Sequence, residues 1–230
     1  MIGILGALEI EVAALMRALD GATAEEAYGY RFMRGKLAGR EVVIAKCGVG
    51  KVNAAICAQT MILTYAPELI INTGVAGSLS QELGILDIAV GTDAVQHDVD
   101  TTACGDAIGY VSTVGMVEFP LDARAASAIL GAAKALDLKA IPARIASGDQ
   151  FVYAKERKEW IVKTFGAAAC DMESGAIAQV CRIAGVRCAV IRAISDSTDD
   201  DHAMEFAKFA KLAADNSIRV LETALATDIL

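Results

Sequence analysis

The sequence predicts an α/β protein built around a largely parallel sheet, and two observations predict it. Short apolar runs alternate along the chain with longer, Ala-rich segments of helical period, as strands do when each feeds a helix that covers the sheet. The 230 residues are 55% hydrophobic, enough for one sizeable core, so residues 1–230 read as a single domain. Ile2 to Gly6 is the first strand, and Leu8, Val12, Leu15, Met16 and Leu19 recur at helical spacing over 7–19. The segments 28–37 and 40–47 flank Ala38-Gly39 as a hairpin, and a helix over 51–65 ends before Pro67. Leu69-Ile70-Ile71 is a buried strand running into a Gly-rich loop, 72–78, and strands follow at 86–96 and 110–118. Asp122 introduces a helix over 122–137. The apolar run Ala143 to Ala146 follows Pro142, and then a polar helix whose Lys155, Glu156, Arg157, Lys158 and Glu159 form a solvated face. Ala167 to Cys170 leads to a helix ending near Ala184, Arg187 to Ile194 is the last strand, and a final helix spans 203–226.

Charge and hydropathy exclude whole classes of partner. A net charge of −8 and an isoelectric point near 4.8 argue against nucleic acid, whose non-specific binding rests on clustered Lys and Arg. A small-molecule ligand is expected instead. Mean hydropathy is +0.45, but every apolar run is broken before the ~18 residues that a membrane span needs. The opening Met1-Ile2-Gly3-Ile4-Leu5-Gly6 lacks a basic leader and soon meets Glu9 and Glu11, which implies a cytoplasmic protein. The six cysteines form no C-x-x-C pair, and reduced thiols are expected.

In open α/β sheets ligands bind at the carboxyl ends of strands, so polar residues that close apolar runs come first. Three carboxylate clusters sit there: Glu9 and Glu11, Asp171 and Glu173, and Asp196. Each taken singly reads as a helix cap or dipole partner. Glu9 and Glu11 would point about 200° apart on a helix, so one of them at most faces a given pocket. Gly48-Val49-Gly50-Lys51 fails as a Walker A loop, because Ala45 and Val52 stand where Gly and Ser/Thr are required. It fails as a dinucleotide fingerprint at Asn53. Gly74 and Gly77 suit either a tight turn or the close approach of a ligand. Gln96-His97-Asp98-Val99-Asp100 lacks metal-ligand spacing in a chain with two histidines, and reads as loop hydrogen bonding. His202, after Asp199-Asp200-Asp201, reads as an N-terminal feature of the last helix.

Five separated segments combine into one pattern. Gly3-Ile4-Leu5-Gly6-Ala7-Leu8-Glu9-Ile10-Glu11, Asn72-Thr73-Gly74-Val75-Ala76-Gly77, Ser147-Gly148-Asp149-Gln150-Phe151-Val152, Asp171-Met172-Glu173 and Arg192-Ala193-Ile194-Ser195-Asp196 together resemble the bacterial 5′-methylthioadenosine/S-adenosylhomocysteine nucleosidases, in order and over nearly the whole chain. The resemblance implies a three-layer α/β/α nucleoside phosphorylase/hydrolase fold around a central mixed sheet, a homodimer, adenosine derivatives as ligands, and no metal or cofactor.

The resemblance also implies roles. Glu11 falls on the general base that activates water, Asp196 on the general acid that protonates the leaving adenine, and Glu173 on the clamp for the ribose hydroxyls. Phe151, Val152, Ala76 and Gly77 fall on the adenine pocket, and Ser195 on a further substrate-binding position. Met172 and Arg192 fall beside the ribose and the water, and Phe206 near the sugar and its 5′-substituent. The chain departs from the pattern at Val75, where some members carry Ser, and at Cys104, where some place an aromatic residue. Val75, Gln96-His97-Asp98-Val99-Asp100 and Gly148-Asp149-Gln150-Phe151-Val152 resemble the Helicobacter and Campylobacter type, which implies 6-amino-6-deoxyfutalosine as an additional substrate.

Overall fold

Strand burial decides how this chain folds, because its central strands carry apolar side chains on both faces. The computed structural model describes residues 1–196 and 202–227. In chain order the elements are β1 (Ile2–Gly6), α1 (Glu9–Arg17), β2 (Asp20–Ala27), β3 (Tyr30–Leu37), β4 (Arg40–Lys46), α2 (Lys51–Tyr65), β5 (Leu69–Ser78), β6 (Ile88–Gln96), β7 (Phe119–Pro120), α3 (Ala123–Ala135), β8 (Ala140–Ser147), α4 (Lys155–Phe165), β9 (Ala169–Asp171), α5 (Ser174–Ala184), β10 (Arg187–Asp196) and α6 (His202–Leu225).

These strands form one mixed sheet. From one edge it runs β2-β3-β4-β1-β5, with β4, β1 and β5 parallel and the β2-β3-β4 meander antiparallel. At β5 the sheet closes on itself: β5 pairs with β10 and with β9, and β10-β6-β8-β9 completes a five-stranded ring. So narrow a ring has room for few side chains. Ala76, Ala89, Ala143, Ala169, Ile145, Val190 and Ile194 share a buried cluster there.

Helices cover both faces. Ile2 and Ile4 of β1, Leu69 and Ile71 of β5, and Ile191 of β10 pack with Val12 and Leu15 of α1, Ile129 of α3 and Leu221 of α6. The alternate residues Leu5 and Ile70 pack with Cys57 and Met61 of α2 and Ile177 of α5. Each fully buried Leu or Ile of this kind contributes about 1.5–3 kcal/mol. A Cβ at Gly3 would lie 2.5 Å from Met61 Sδ, so glycine there lets α2 rest directly on β1. Ile161 and Phe165 of α4 pack outside the ring against Val95 and Ala146.

Four readings of the sequence need correction. The Gly-rich stretch 72–78 continues β5 as strand, paired along its length with β10. The expected strand over 110–118 is reduced to a single bridge, Val111 to Met116, because Gly109 and Gly115 sit at φ +79° and +74° and turn the chain. The edge strand β2 was not anticipated. Its residues are nearly all exposed, so no apolar alternation announces it. The polar face of α4 is not wholly solvated: Lys158 is buried, and the Arg157 guanidinium stacks 4.2 Å from the Trp160 ring. The Asp199-Asp200-Asp201 run lies outside the described residues. Among the described residues no helix is long and apolar enough to cross a membrane, and all six cysteines are unpaired thiols.

Candidate active site

A cavity of about 300 Å³ opens at the carboxyl ends of β1, β5 and β10, with the residues after β9 as a further wall. Glu11 enters it from the first turn of α1 and is only 4% exposed. Its Oε2 accepts the backbone N–H of Ala7 (2.7 Å) and of Leu8 (2.8 Å), and its Oε1 accepts that of Val75 (2.9 Å). These bonds explain why α1 starts at Glu9: the two preceding amides turn toward the carboxylate and leave the helical path. Burial raises the Glu11 carboxyl above its ordinary value, while Arg192 and the three N–H groups pull the other way.

Beneath the cavity floor one cation serves three carboxyls. The Arg192 guanidinium is 2% exposed and meets Asp171 Oδ2 at 2.6 Å from Nη2 and 2.8 Å from Nε. Its Nη2 also bonds Asn72 Oδ1 and Ser174 Oγ, and lies 4.0 Å from Glu173 Oε2. Burial opposes the Arg192 charge, but Asp171, Glu173 and Glu11 outweigh it and raise its pKa. One positive charge cannot neutralise all three. Burial and then the Asp171 charge accordingly push the Glu173 carboxyl up to about 7. Glu173 Oε1 accepts the Gly50 N–H at 2.9 Å.

Asp196 reaches the cavity through a β-bulge. The β10 register passes from Ile194 opposite Ala76 to Asp196 opposite Gly77 and leaves Ser195 unpaired, an arrangement that re-aims the following side chain. The Ser195 hydroxyl donates to Asp196 Oδ1 at 2.8 Å. A Cβ at Gly77 would stand 2.9 Å from Asp196 Oδ2, so only glycine lets that carboxyl lie against the strand. Besides Asp171 and Glu173, the cavity thus presents two buried carboxyls on separate elements, Glu11 seated in backbone amides and Asp196 bonded by a hydroxyl.

Residues 1–226 match the Phosphorylase superfamily. Over 210 residues the chain is 40% identical to the 5′-methylthioadenosine/S-adenosylhomocysteine nucleosidase of Shewanella piezotolerans, covering 90% of this chain and 91% of that one. This chain belongs to that nucleosidase family. Two solved structures are similar to it throughout. The nucleosidase of Neisseria meningitidis in complex with methylthio-immucillin-A superposes with a TM-score of 0.94 at 35% identity, covering 98% of both chains. The futalosine hydrolase of Helicobacter pylori gives 0.92 at 33% identity, covering 97% of this chain and 96% of that one.

In this nucleosidase Glu11, Ala76, Gly77, Phe151, Val152, Met172, Glu173, Ser195, Asp196 and Phe206 all line the cavity. Phe151 stands half exposed at the rim, edge-on to Phe206 with ring centroids 5.8 Å apart. Thr73 of β5 and Ser217 of α6 share a buried 2.8 Å hydrogen bond that ties the helix bearing Phe206 to the sheet. Arg192 is placed differently: it lies behind the wall and reaches the cavity only through the carboxyls it pairs with. Glu9 is exposed and pairs with Lys46 at 3.0 Å. Among the described residues no cluster of His, Cys, Asp and Glu is placed to hold a metal ion.

Sequence reasoning did not single out Ala7, Leu8, Val49, Gln150 or Cys170 as lining residues. Ala7 and Leu8 act through backbone N–H groups, which carry no side-chain signal. Val75 does likewise, so its lack of a hydroxyl leaves the Oε1 contact of Glu11 intact. Burial and then the Asp196 charge push the Cys170 thiol up to about 12, so it stays protonated, 3.7 Å from the Gly77 carbonyl oxygen.

Proposed function

We propose that this nucleosidase hydrolyses the N-glycosidic bond of 5′-methylthioadenosine and S-adenosylhomocysteine and releases adenine. The observation that carries the proposal is the convergence of Glu11 and Asp196 on one cavity from α1 and β10. Breaking the bond makes the sugar oxocarbenium-like and leaves negative charge on adenine. Asp196 donates a proton to the departing base, and a carboxylic acid fills that role near neutral pH inside an enclosed site. Glu11 orients and deprotonates water on the other face of the sugar, help worth ~10²–10⁴-fold. Its three amide contacts hold the carboxylate in place, so the base is preorganised before substrate arrives. Glu173, when ionised, accepts the ribose hydroxyls and fixes the sugar for attack. Phe151, Val152, Ala76 and Gly77 enclose adenine, Met172 lies beside the ribose, and Phe206 and Leu8 give the 5′-thio group an apolar wall. Arg192 acts from behind, as counter-charge to Glu11 and Glu173.

Water is favoured over phosphate as the nucleophile by the wall chemistry. Among the described residues no Lys or Arg lines the cavity, and a phosphate dianion beside Glu11 would meet like charge. Incubation with methylthioadenosine in phosphate-free buffer tests this. Adenine and free methylthioribose are expected; strict phosphate dependence would make the protein a phosphorylase instead. The likeness to the Helicobacter pylori futalosine hydrolase supports 6-amino-6-deoxyfutalosine as a further substrate, to be ranked with 5′-deoxyadenosine by kcat/KM. The homodimer is part of the same proposal. Val49, Val52, Ile56 and Leu63 are exposed along α2 and the turn before it, Val49 among them lining the cavity, and a second copy would cover them. Buried, unpaired thiols suit a reducing compartment, and cytoplasmic residence completes the reading.

A further inference from the structure

The segment that carries Phe151 and Val152 lies between β8 and α4 with no strand or helix of its own, so its position depends on what holds residues 148–150. Gly148 N–H donates to the Asp171 carbonyl oxygen at 3.2 Å. The Asp149 N–H donates to Asp98 Oδ2 at 2.9 Å, and Asp149 Oδ1 accepts the Lys51 backbone N–H at 2.7 Å. Asp98 Oδ1 in turn pairs with Lys51 Nζ at 2.6 Å, and that ammonium also reaches Gln96 Oε1 at 3.1 Å. The Lys51 and Asp98 side chains are each 17% exposed. Below them His97 N–H donates to the Ser147 carbonyl oxygen at 2.9 Å. A Cβ at Gly148 would collide with the His97 ring, so the loop is seated on that ring.

The same α2 N-terminus faces the ribose side. Gly50 N–H holds Glu173 Oε1 at 2.9 Å while the next amide, Lys51 N–H, holds Asp149. Two consecutive backbone donors therefore set the ribose carboxylate and the purine loop at a fixed separation. Asp98 closes the figure, because one of its oxygens binds the Lys51 side chain and the other binds the Asp149 amide. Resting on the nucleosidase reading, we propose that Lys51, Asp98 and Asp149 are positioning residues that lock the purine-binding loop against the Glu173 side of the cavity and thereby set nucleoside affinity. None of the three lines the cavity, so they act on binding through the loop and leave the chemical step to Asp196 and Glu11. Burial alone would raise the Asp98 carboxyl, but the hydrogen bonds from Lys51 and Asp149 and the Lys51 charge outweigh it and lower it, so the bracket stays charged above mildly acid pH.

The test is made on the full chain with Asp98→Ala, Asp98→Asn and Lys51→Met. It reads kcat and KM for methylthioadenosine, Kd for adenine by calorimetry, and Tm. Loss of the charge-assisted bonds that fix the loop, part-buried at the Lys51–Asp98 pair and exposed at the Asp149 amide, is expected to raise KM and adenine Kd about tenfold or more in Asp98→Ala and Lys51→Met, with kcat within about threefold of the parent. Asp98→Asn keeps an acceptor for the Asp149 amide and is expected to fall between. The Lys51→Met/Asp98→Ala double variant should bind no more weakly than the worse single variant, because both break one network. KM and adenine Kd within about twofold of the parent in Lys51→Met, or a kcat loss at unchanged KM, would overturn the proposal. Lys51→Met keeps the backbone N–H and so decides the matter even if Asp98→Ala does not fold. Adenine binding by the parent without hydrolysis of methylthioadenosine would sink the nucleosidase reading but leave the bracket to be judged on adenine Kd alone.

Discussion

Replacing Glu173 by Gln removes a charge from the most crowded part of the site at constant shape, and the structure sets the size of the effect. The Glu173 carboxyl is 6% exposed, and burial and then Asp171 push it from 4.5 up to about 7. At 1.36 kcal/mol per pH unit that displacement amounts to on the order of 3 kcal/mol. Between those two values the folded protein holds a proton that the unfolded chain releases. The stabilisation from that proton is fully present below pH 4.5 and is lost as pH rises through about 7. At higher pH the parent keeps a buried, under-neutralised carboxylate that Glu173→Gln lacks. The variant is therefore expected to be more stable by ~1–3 kcal/mol at about pH 8.5, and by little at about pH 5, measured by urea unfolding at both. Function moves oppositely. The parent's kcat/KM should rise with pH through about 7 as Glu173 ionises, and Glu173→Gln should lose that limb together with the ribose clamp. A stability difference equal at both pH values, or a parent limb at the ordinary carboxylate value, would refute the electrostatic account of Arg192 and its three carboxyls.

Gly77→Ala would press a methyl group against Asp196 Oδ2 at 2.9 Å and Cys170 Sγ at 3.3 Å; kcat should fall about tenfold or more with Tm nearly unchanged, and unchanged kcat would show that Asp196 needs no such seat. Glu11→Gln puts an amide NH₂ where one carboxylate oxygen accepts backbone N–H groups. It should lower kcat by ~10²–10⁴-fold in a continuous adenine-release assay, and near-parental turnover would assign the base elsewhere.

The sequence revealed most where side chains carry the signal. The apolar runs located β1, β4, β5, β8 and β10, and Asp122 marked the start of α3 through the cap that its Oδ1 makes to Ala125 N–H at 2.8 Å. The five motifs that resemble the family hold most of the residues that line the cavity, while Val49, Cys170 and Phe206 lie outside them. Features built from backbone were invisible in it. The amides of Ala7, Leu8, Val75, Gly50 and Lys51 do the holding, and any residue but proline offers the same donor. Closure of the ring was also hidden, since strand order depends on pairings far apart in the chain. Arg192 reads as a residue beside the water when only its motif is known. Its burial under Asp171, Asn72 and Ser174 makes it a counter-ion behind the wall.

Protonation of the leaving adenine by Asp196 is the step on which the proposed hydrolysis turns. Its most direct test is turnover of methylthioadenosine by Asp196→Asn, with nucleoside Kd measured in parallel. Asparagine keeps the size and an acceptor for the Ser195 hydroxyl but has no acidic proton to donate. A kcat loss of ~10²-fold or more with binding retained is expected; near-parental turnover at the same Kd would show that Asp196 is not the acid.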